Sequence, residues 1–137
     1  MKKQIFIICI SLLMLAGCGN DKELKGTYDV GVDDKNNIEY KLTFEEDNIV
    51  TVEEMGLMVV EKGSYELFEK DGMTILKFNN FDCVGDFTES DGLIFDKDKM
   101  TLEEGEYKLT TDNPDITEDT PFKKIEDTDI LYLKKVK

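Results

Sequence analysis

Carboxylates dominate the chemistry open to this chain. Adjacent pairs stand at Asp33-Asp34, Glu45-Glu46, Glu53-Glu54 and Glu103-Glu104. A glycosidase-type reaction uses two carboxyl groups across a cleft, one of them desolvated enough to keep its proton. Here nearly every acid is expected at a turn or on the polar side of an alternating strand, where water keeps it ionised. With 31 acidic residues in the chain, adjacent pairs also arise by chance. The 137 residues include no histidine, arginine or tryptophan. The lack of histidine excludes imidazole metal sites and Ser-His-Asp or Cys-His nucleophile pairs. No catalytic residue is assigned, and the chain is expected not to be an enzyme.

Hard cations are the other use for carboxylates. Asp96 and Asp98 have the first two spacings of an EF-hand loop, but Met100 occupies the third ligand position and no glycine follows. Asp112, Asn113, Asp115, Glu118 and Asp119 offer oxygens in a proline-bearing stretch whose ordinary reading is a solvated acidic loop. No metal ligand and no cofactor are assigned. Met55 and Met58 flank Gly56-Leu57, and thioethers suit copper(I), yet two methionines without histidine or a nearby cysteine make a poor site. The run Met55 to Val60 is uncharged in an otherwise acidic chain. Met55, Leu57 and Met58 are therefore candidate partner-binding residues, on a turn exposed at the mouth of a barrel. Cys83 has Asp82 and Asp86 beside it and no basic neighbour to favour a thiolate, so it is expected to be a small buried apolar group.

The amino terminus carries a different kind of signal. Lys2 and Lys3 precede an apolar run from Ile5 to Leu15 broken only by Ser11. That run is too short for a membrane span of about 20 residues. It ends in Leu15-Ala16-Gly17-Cys18, which resembles the lipobox of bacterial lipoproteins. The resemblance implies a signal peptide over 1–17, cleavage before Cys18, and a diacylglyceryl thioether on the Cys18 sulfur. Residues 18–25 are then the lipidated cysteine and a short tether, and 26–137 the folded domain. The expected location is the cell envelope, on the outer face of the cytoplasmic membrane. Abundant lysine, asparagine and isoleucine without arginine suit a Gram-positive type of cell. From Cys18 onward there are 15 lysines against 31 acids, a side-chain charge of −16. That charge argues against nucleic acid, holds the domain off an anionic bilayer, and would steer a basic protein partner. Cys9 leaves with the signal and Cys18 is acylated, so Cys83 has no disulfide partner within the chain.

The composition after Cys18 is that of a β-protein. There is no alanine, glutamine or arginine, but there are eleven threonines, eight valines and five tyrosines. Ile38, Tyr40, Leu42 and Phe44 alternate with Glu39, Lys41 and Thr43, which predicts a strand with one apolar face. A turn at Glu46–Asn48 leads to a partner strand over Ile49 to Glu54. A longer strand passes Val59 and Val60, with a bulge expected at Gly63, and runs on through Tyr65 and Leu67. Asp71-Gly72 predicts a tight turn before a strand over Met73 to Phe78. Asn79 to Gly92 is expected to be an ordered loop. Short strands follow over Leu93–Phe95, Met100–Leu102 and Tyr107–Thr110, with Glu103-Glu104-Gly105 as a turn. After an acidic loop over Thr111–Pro121, strands at Phe122–Ile125 and Ile130–Val136 close the domain. Eight to ten short antiparallel strands joined by hairpins predict an all-β up-and-down barrel or a strongly curved sandwich.

The order Leu24, Gly26-Thr27-Tyr28, Leu42-Thr43-Phe44, Gly63-Ser64-Tyr65, Asp71-Gly72 and Leu131-Tyr132-Leu133 resembles the lipocalin-like domain of small bacterial lipoproteins, over Leu24 to Lys135. Tyr28 stands where such domains commonly carry tryptophan. The resemblance implies an antiparallel barrel with an apolar interior. Tyr28, Val30, Tyr40, Leu42, Phe44, Val50, Val52, Tyr65 and Leu67 are the expected interior residues. If they leave a cavity, the expected function is a membrane-anchored, non-enzymatic lipoprotein binding a small apolar ligand or envelope component. If they fill the barrel, the alternative is an acidic protein-interaction module, such as an inhibitor, immunity factor or assembly accessory.

Overall fold

The computed structural model of the chain describes residues 24–82, 87 and 90–136. The expected signal peptide, Cys18 and most of the tether lie outside these residues, as does Cys83. Among the described residues no helix is long and apolar enough to cross a membrane.

Nine strands form one antiparallel sheet: β1 (Gly26–Val32), β2 (Ile38–Phe44), β3 (Ile49–Glu54), β4 (Val59–Lys70), β5 (Met73–Asn79), β6 (Gly92–Asp96), β7 (Thr101–Tyr107), β8 (Phe122–Lys124) and β9 (Ile130–Lys135). The first seven pair in chain order, and β9 pairs with both β7 and β1, which closes the sheet. β8 is not a separate stave. Residues 122–124 pair with 107–105 of β7, and residues 130–132 pair with 103–101 on the same edge. The stretch 125–129 therefore stands opposite Glu104 alone, whose carbonyl accepts from the Ile125 N–H at 2.9 Å. β8 and β9 form one barrel strand interrupted by a wide bulge, so the closed barrel has eight staves.

Why these segments form strands follows from period-two burial. Tyr40, Leu42 and Phe44 are buried while Glu39, Lys41 and Thr43 are not. The same alternation places Tyr28, Val30, Val50, Val52, Leu76, Phe78, Leu93, Phe95, Leu102, Leu131 and Leu133 inside. Asp71-Gly72 turns β4 into β5 as its sequence predicts, both residues having positive φ.

Two expectations fail. Gly63 lies in an unbroken ladder, with Val50 and Gly63 directly paired. The register shift falls instead between Val30 and Gly31, where the chain turns back on itself so closely that a Cβ on Gly31 would lie 2.4 Å from the Asp34 carbonyl oxygen. Gly63 is needed for a different reason: a Cβ there would meet the Phe81 ring at 2.6 Å. The second failure is the turn expected at Glu103-Glu104-Gly105. These residues lie inside β7, paired to Ile94, Leu93 and Gly92 of β6, and 108–110 are not strand. Glycine after two acids suggests a turn, but here it makes room for a ring, because a Cβ on Gly105 would lie 2.3 Å from Phe122.

That ring belongs to a second, smaller core on the outside of the barrel. Ile75, Gly92 and Gly105 alternate with the interior residues Leu76, Leu93 and Leu102, so they face outward, yet Ile75 is fully buried. Phe122 covers this patch and packs edge-to-face on Tyr107, with ring centroids 5.1 Å apart. The segment leading to it is fastened to the β4–β5 turn. The Phe122 N–H donates to Asp71 Oδ2 at 2.9 Å, and Lys70 Nζ donates to the Glu118 carbonyl. Residues 108–121 thus form a strap across the outer face.

Two stability measurements follow. Phe122→Ala is expected to lower unfolding free energy by about 3–5 kcal/mol and to raise amide exchange across 108–121 before the barrel itself opens. Thr101 Oγ1 is buried without a hydrogen-bond partner. Thr101→Val, which keeps the branched shape, is expected to stabilise the protein by about 1 kcal/mol in urea unfolding.

Candidate functional site

The barrel interior is the first place to look, since all nine residues expected there face inward. Seven are buried, and Tyr65 and Leu67 are half-buried against the same core. Rings meet ring to ring across it. Phe44 lies 5.8 Å from Tyr28, 5.1 Å from Tyr65 and 6.4 Å from Phe78, centroid to centroid. Phe78 continues to Phe81 at 5.6 Å and to Phe87 at 5.3 Å, and Phe87 meets Tyr40 edge-on at 4.9 Å. Phe81 and Phe87 come from the β5–β6 connection, expected only to be a loop; they reach into the barrel and stack in its core. A signal was present in the sequence, as two phenylalanines in a turn-rich stretch suggest an inserted segment rather than a solvated one.

A small cavity lies among Leu93, Leu102, Glu104, Asp129 and Leu131, with a volume of about 10 Å³. That is close to the least space that holds one water.

The acidic pairs are split by the pleat. Glu53 is paired with Val60 and faces out; Glu54, opposite Tyr40 and Val59, faces in. Glu103 faces out and meets Lys124 Nζ at 3.0 Å, while Glu104, opposite Leu93, faces in. The hydrogen bond and charge of Glu103, with the charge of Glu126, hold the Lys124 ammonium above its ordinary pKa. Neighbouring carboxylates on one strand thus point to opposite sides of the wall and do not converge. The expectation that the acids avoid the interior needs correcting at Glu54, Glu61 and Glu104, which occupy inward-facing register positions. Glu61 shows what such a position can do, as its Oε1 accepts from the Asp82 N–H at 2.9 Å and fastens the segment bearing Phe81 and Phe87.

The cation candidates are also built into turns. Asp96 Oδ1 accepts from the N–H groups of Asp98 and Lys99. Around Asp115–Thr120 the chain winds about the buried Thr120 hydroxyl, which accepts from the Thr117 N–H at 2.8 Å. No group of three or more metal-capable side chains converges among the described residues.

The outer surface is more distinctive. In an up-and-down barrel successive connections alternate between two ends. Leu24 and the turns 45–48 and 97–100 share one end, here called proximal, whereas the 71–72 turn lies against Phe122, beside the Tyr107 end of β7. The connections 33–37, 55–58 and 80–91 share the other, distal end, about 20 Å away along a six-residue strand such as β3. The candidate residues Met55, Leu57 and Met58 form the distal β3–β4 connection, and they are 43%, 70% and 86% exposed. Val60, on the outer face of the adjoining strand, is 61% exposed. The other exposed large apolar residues among those described are Leu109 and Ile116, both in the 108–121 strap, and Val136 after β9.

Met58 is unusual in its backbone as well. Eight described non-glycine residues have positive φ, and six of them are Asp or Asn, which tolerate that conformation. The other two are Met58 at 56° and Met100 at 56°. Met100 packs against the core, which accounts for its side chain. No core contact accounts for Met58. Met58→Gly is expected to raise stability by about 0.5–1 kcal/mol by relieving the left-handed conformation, a shift measurable in the thermal midpoint.

Comparison of this chain with protein-family models, with curated proteins and with solved structures returns no match. The barrel is compatible with a lipocalin-like fold, and its use has to be argued from its own surfaces.

Proposed function

We propose that this chain is a membrane-tethered, non-enzymatic lipoprotein whose lipocalin-like barrel acts as a protein-interaction module. The observation that carries the reading is the continuous ring packing of Tyr28, Phe44, Tyr65, Phe78, Phe87 and Tyr40 through the interior. A carrier for an apolar ligand would have to break those contacts, each worth about 0.5–1.5 kcal/mol beyond the area it buries. The interior therefore serves stability, and function falls to the outside.

Three features support the rest of the reading. The lipobox-like Leu15-Ala16-Gly17-Cys18 supplies two acyl chains, palmitate among the candidates, enough to anchor a soluble domain. The barrel begins at Leu24, so the tether is short and the proximal end stands next to the bilayer. Net charge of −16 after Cys18 keeps the barrel from lying flat on anionic lipid and draws in basic partners. The non-enzymatic part of the reading is supported by the two carboxylate pairs on strands, Glu53-Glu54 and Glu103-Glu104, whose members diverge across the barrel wall.

Two measurements test this. Fatty-acid labelling of the cell-expressed chain is expected to be lost in Cys18→Ser. Titration of the full chain with an environment-sensitive naphthylamine dye is expected to give no saturable site. Saturation near one dye per chain, abolished by enlarging an interior side chain, would return the barrel to the carriers.

A further inference from the structure

Resting on that reading, we propose that the distal β3–β4 tip, Met55, Leu57 and Met58 with Val60, is a docking site for a cationic amphipathic protein segment. The partner presents apolar side chains to the tip and lysine or arginine around them.

Two observations make the tip a binding surface. Its large side chains are exposed together, where a folded monomer gains nothing from them. Met58 also holds a left-handed backbone conformation that glycine, asparagine or aspartate fills at less cost, and the same chain uses Asp or Asn at six such positions. The methionine side chain costs the barrel stability, and contact with another molecule is what it offers in exchange. Methionine suits that purpose, being unbranched and polarisable and able to fit irregular apolar surfaces.

The occupant follows from charge and topology. Glu39 and Glu53 stand on the outer face of the strands that frame the tip, since Glu39 alternates with the buried Tyr40 and Glu53 pairs with Val60. Of the lysines nearby, Lys41 is paired across the sheet with Glu53, and Lys62 lies 3.7 Å from Glu45. An apolar tip with Glu39 and Glu53 beside it, on a strongly acidic chain, complements a segment with an apolar stripe and a basic border. A second copy of the chain would set acid against acid, with −16 on each molecule. A lipid surface is disfavoured by position, since the tip lies at the end opposite Leu24, which leads from the anchor.

The test uses the full chain in phosphatidylcholine nanodiscs with methyl-labelled methionines, whose signals separate the tip (Met55 and Met58) from Met73 and Met100. The probe is a synthetic amphipathic helix of about 18 leucine and lysine residues, and its control has glutamate in place of lysine. Expected is a saturable shift of the Met55 and Met58 signals with the lysine peptide alone, and affinity falling roughly tenfold between about 50 and 200 mM salt. Met58→Gly, a variant expected to fold at least as stably, and Leu57→Asp are each expected to weaken binding roughly tenfold or more. Equal response to the glutamate peptide, shifts spread over all methionines, or binding unchanged in both variants would overturn the proposal. So would concentration-dependent shifts without peptide, which mark a second copy, or broadening of Met58 by spin-labelled lipid, which marks the bilayer. These failures are separable from failure of the interaction-module reading, which is marked by saturable dye uptake into the barrel.

Discussion

Phe44 fixes the dimensions of this barrel. It stands on β2, yet its ring meets Tyr28 on β1, Tyr65 on β4 and Phe78 on β5. One side chain thus holds strands from two sides of the wall at a separation set by ring diameters. Eight staves enclose an interior of a size that side chains can fill, and here large aromatic side chains with only two rotatable bonds each pack ring to ring within it. The segment carrying Phe81 and Phe87 completes the stack from the distal end, while Leu24 is buried in the same core from the proximal one. Closure follows from this packing as much as from hydrogen bonds. β9 pairs with both β1 and β7 and so completes the circumference that strand number and register set.

The two devices that let the sheet close lie at the last stave and on the outer wall. The bulge at 125–129 lets β8 and β9 share the last position without a continuous strand. Phe122, at the start of that stave, turns its ring outward over Gly92 and Gly105, and the 108–121 strap crosses to Asp71 and Lys70. The acidic loop therefore serves as a brace. Its carboxylates remain in water while its buried Thr120 and the Phe122 that follows make the contacts. In a chain so rich in acid, repulsion opposes compaction, and an external apolar clasp offsets part of that strain.

Alternation made the fold legible. β2 and β3 match their expected limits because each has one buried face and one wet one, and that contrast is local. The interior residues followed from the same pattern. What was not legible depended on partners distant in sequence. Gly105 reads as a turn residue until Phe122 is known to lie on it, and Gly63 reads as a bulge until Phe81 is known to face it. Glu54 and Glu104 look like members of exposed pairs because period two says that neighbours diverge but not which of them faces the core. The distal tip was partly legible, since an uncharged run in an acidic chain stands out. Its place at the far end from Leu24, and the left-handed conformation of Met58, required the folded backbone.

Closure also determines how such a domain can bind. Closure leaves only short stretches of strand edge, at β8 and at residues 65–70 of β4, so side chains at the ends and on the outer wall offer more surface for recognition than an added strand would find. The proximal end carries Leu24, and the strap covers the outer face around Ile75. Phe87, from the connection between β5 and β6, is buried against Phe78, while Met55, Leu57 and Met58 of the β3–β4 turn are exposed. Exposed apolar area at that point costs the free protein solubility, and the left-handed Met58 costs it backbone ease. In an acidic domain like charge opposes self-association through such an exposed apolar area, which makes both costs tolerable, and the proposed cationic partner would meet no such repulsion.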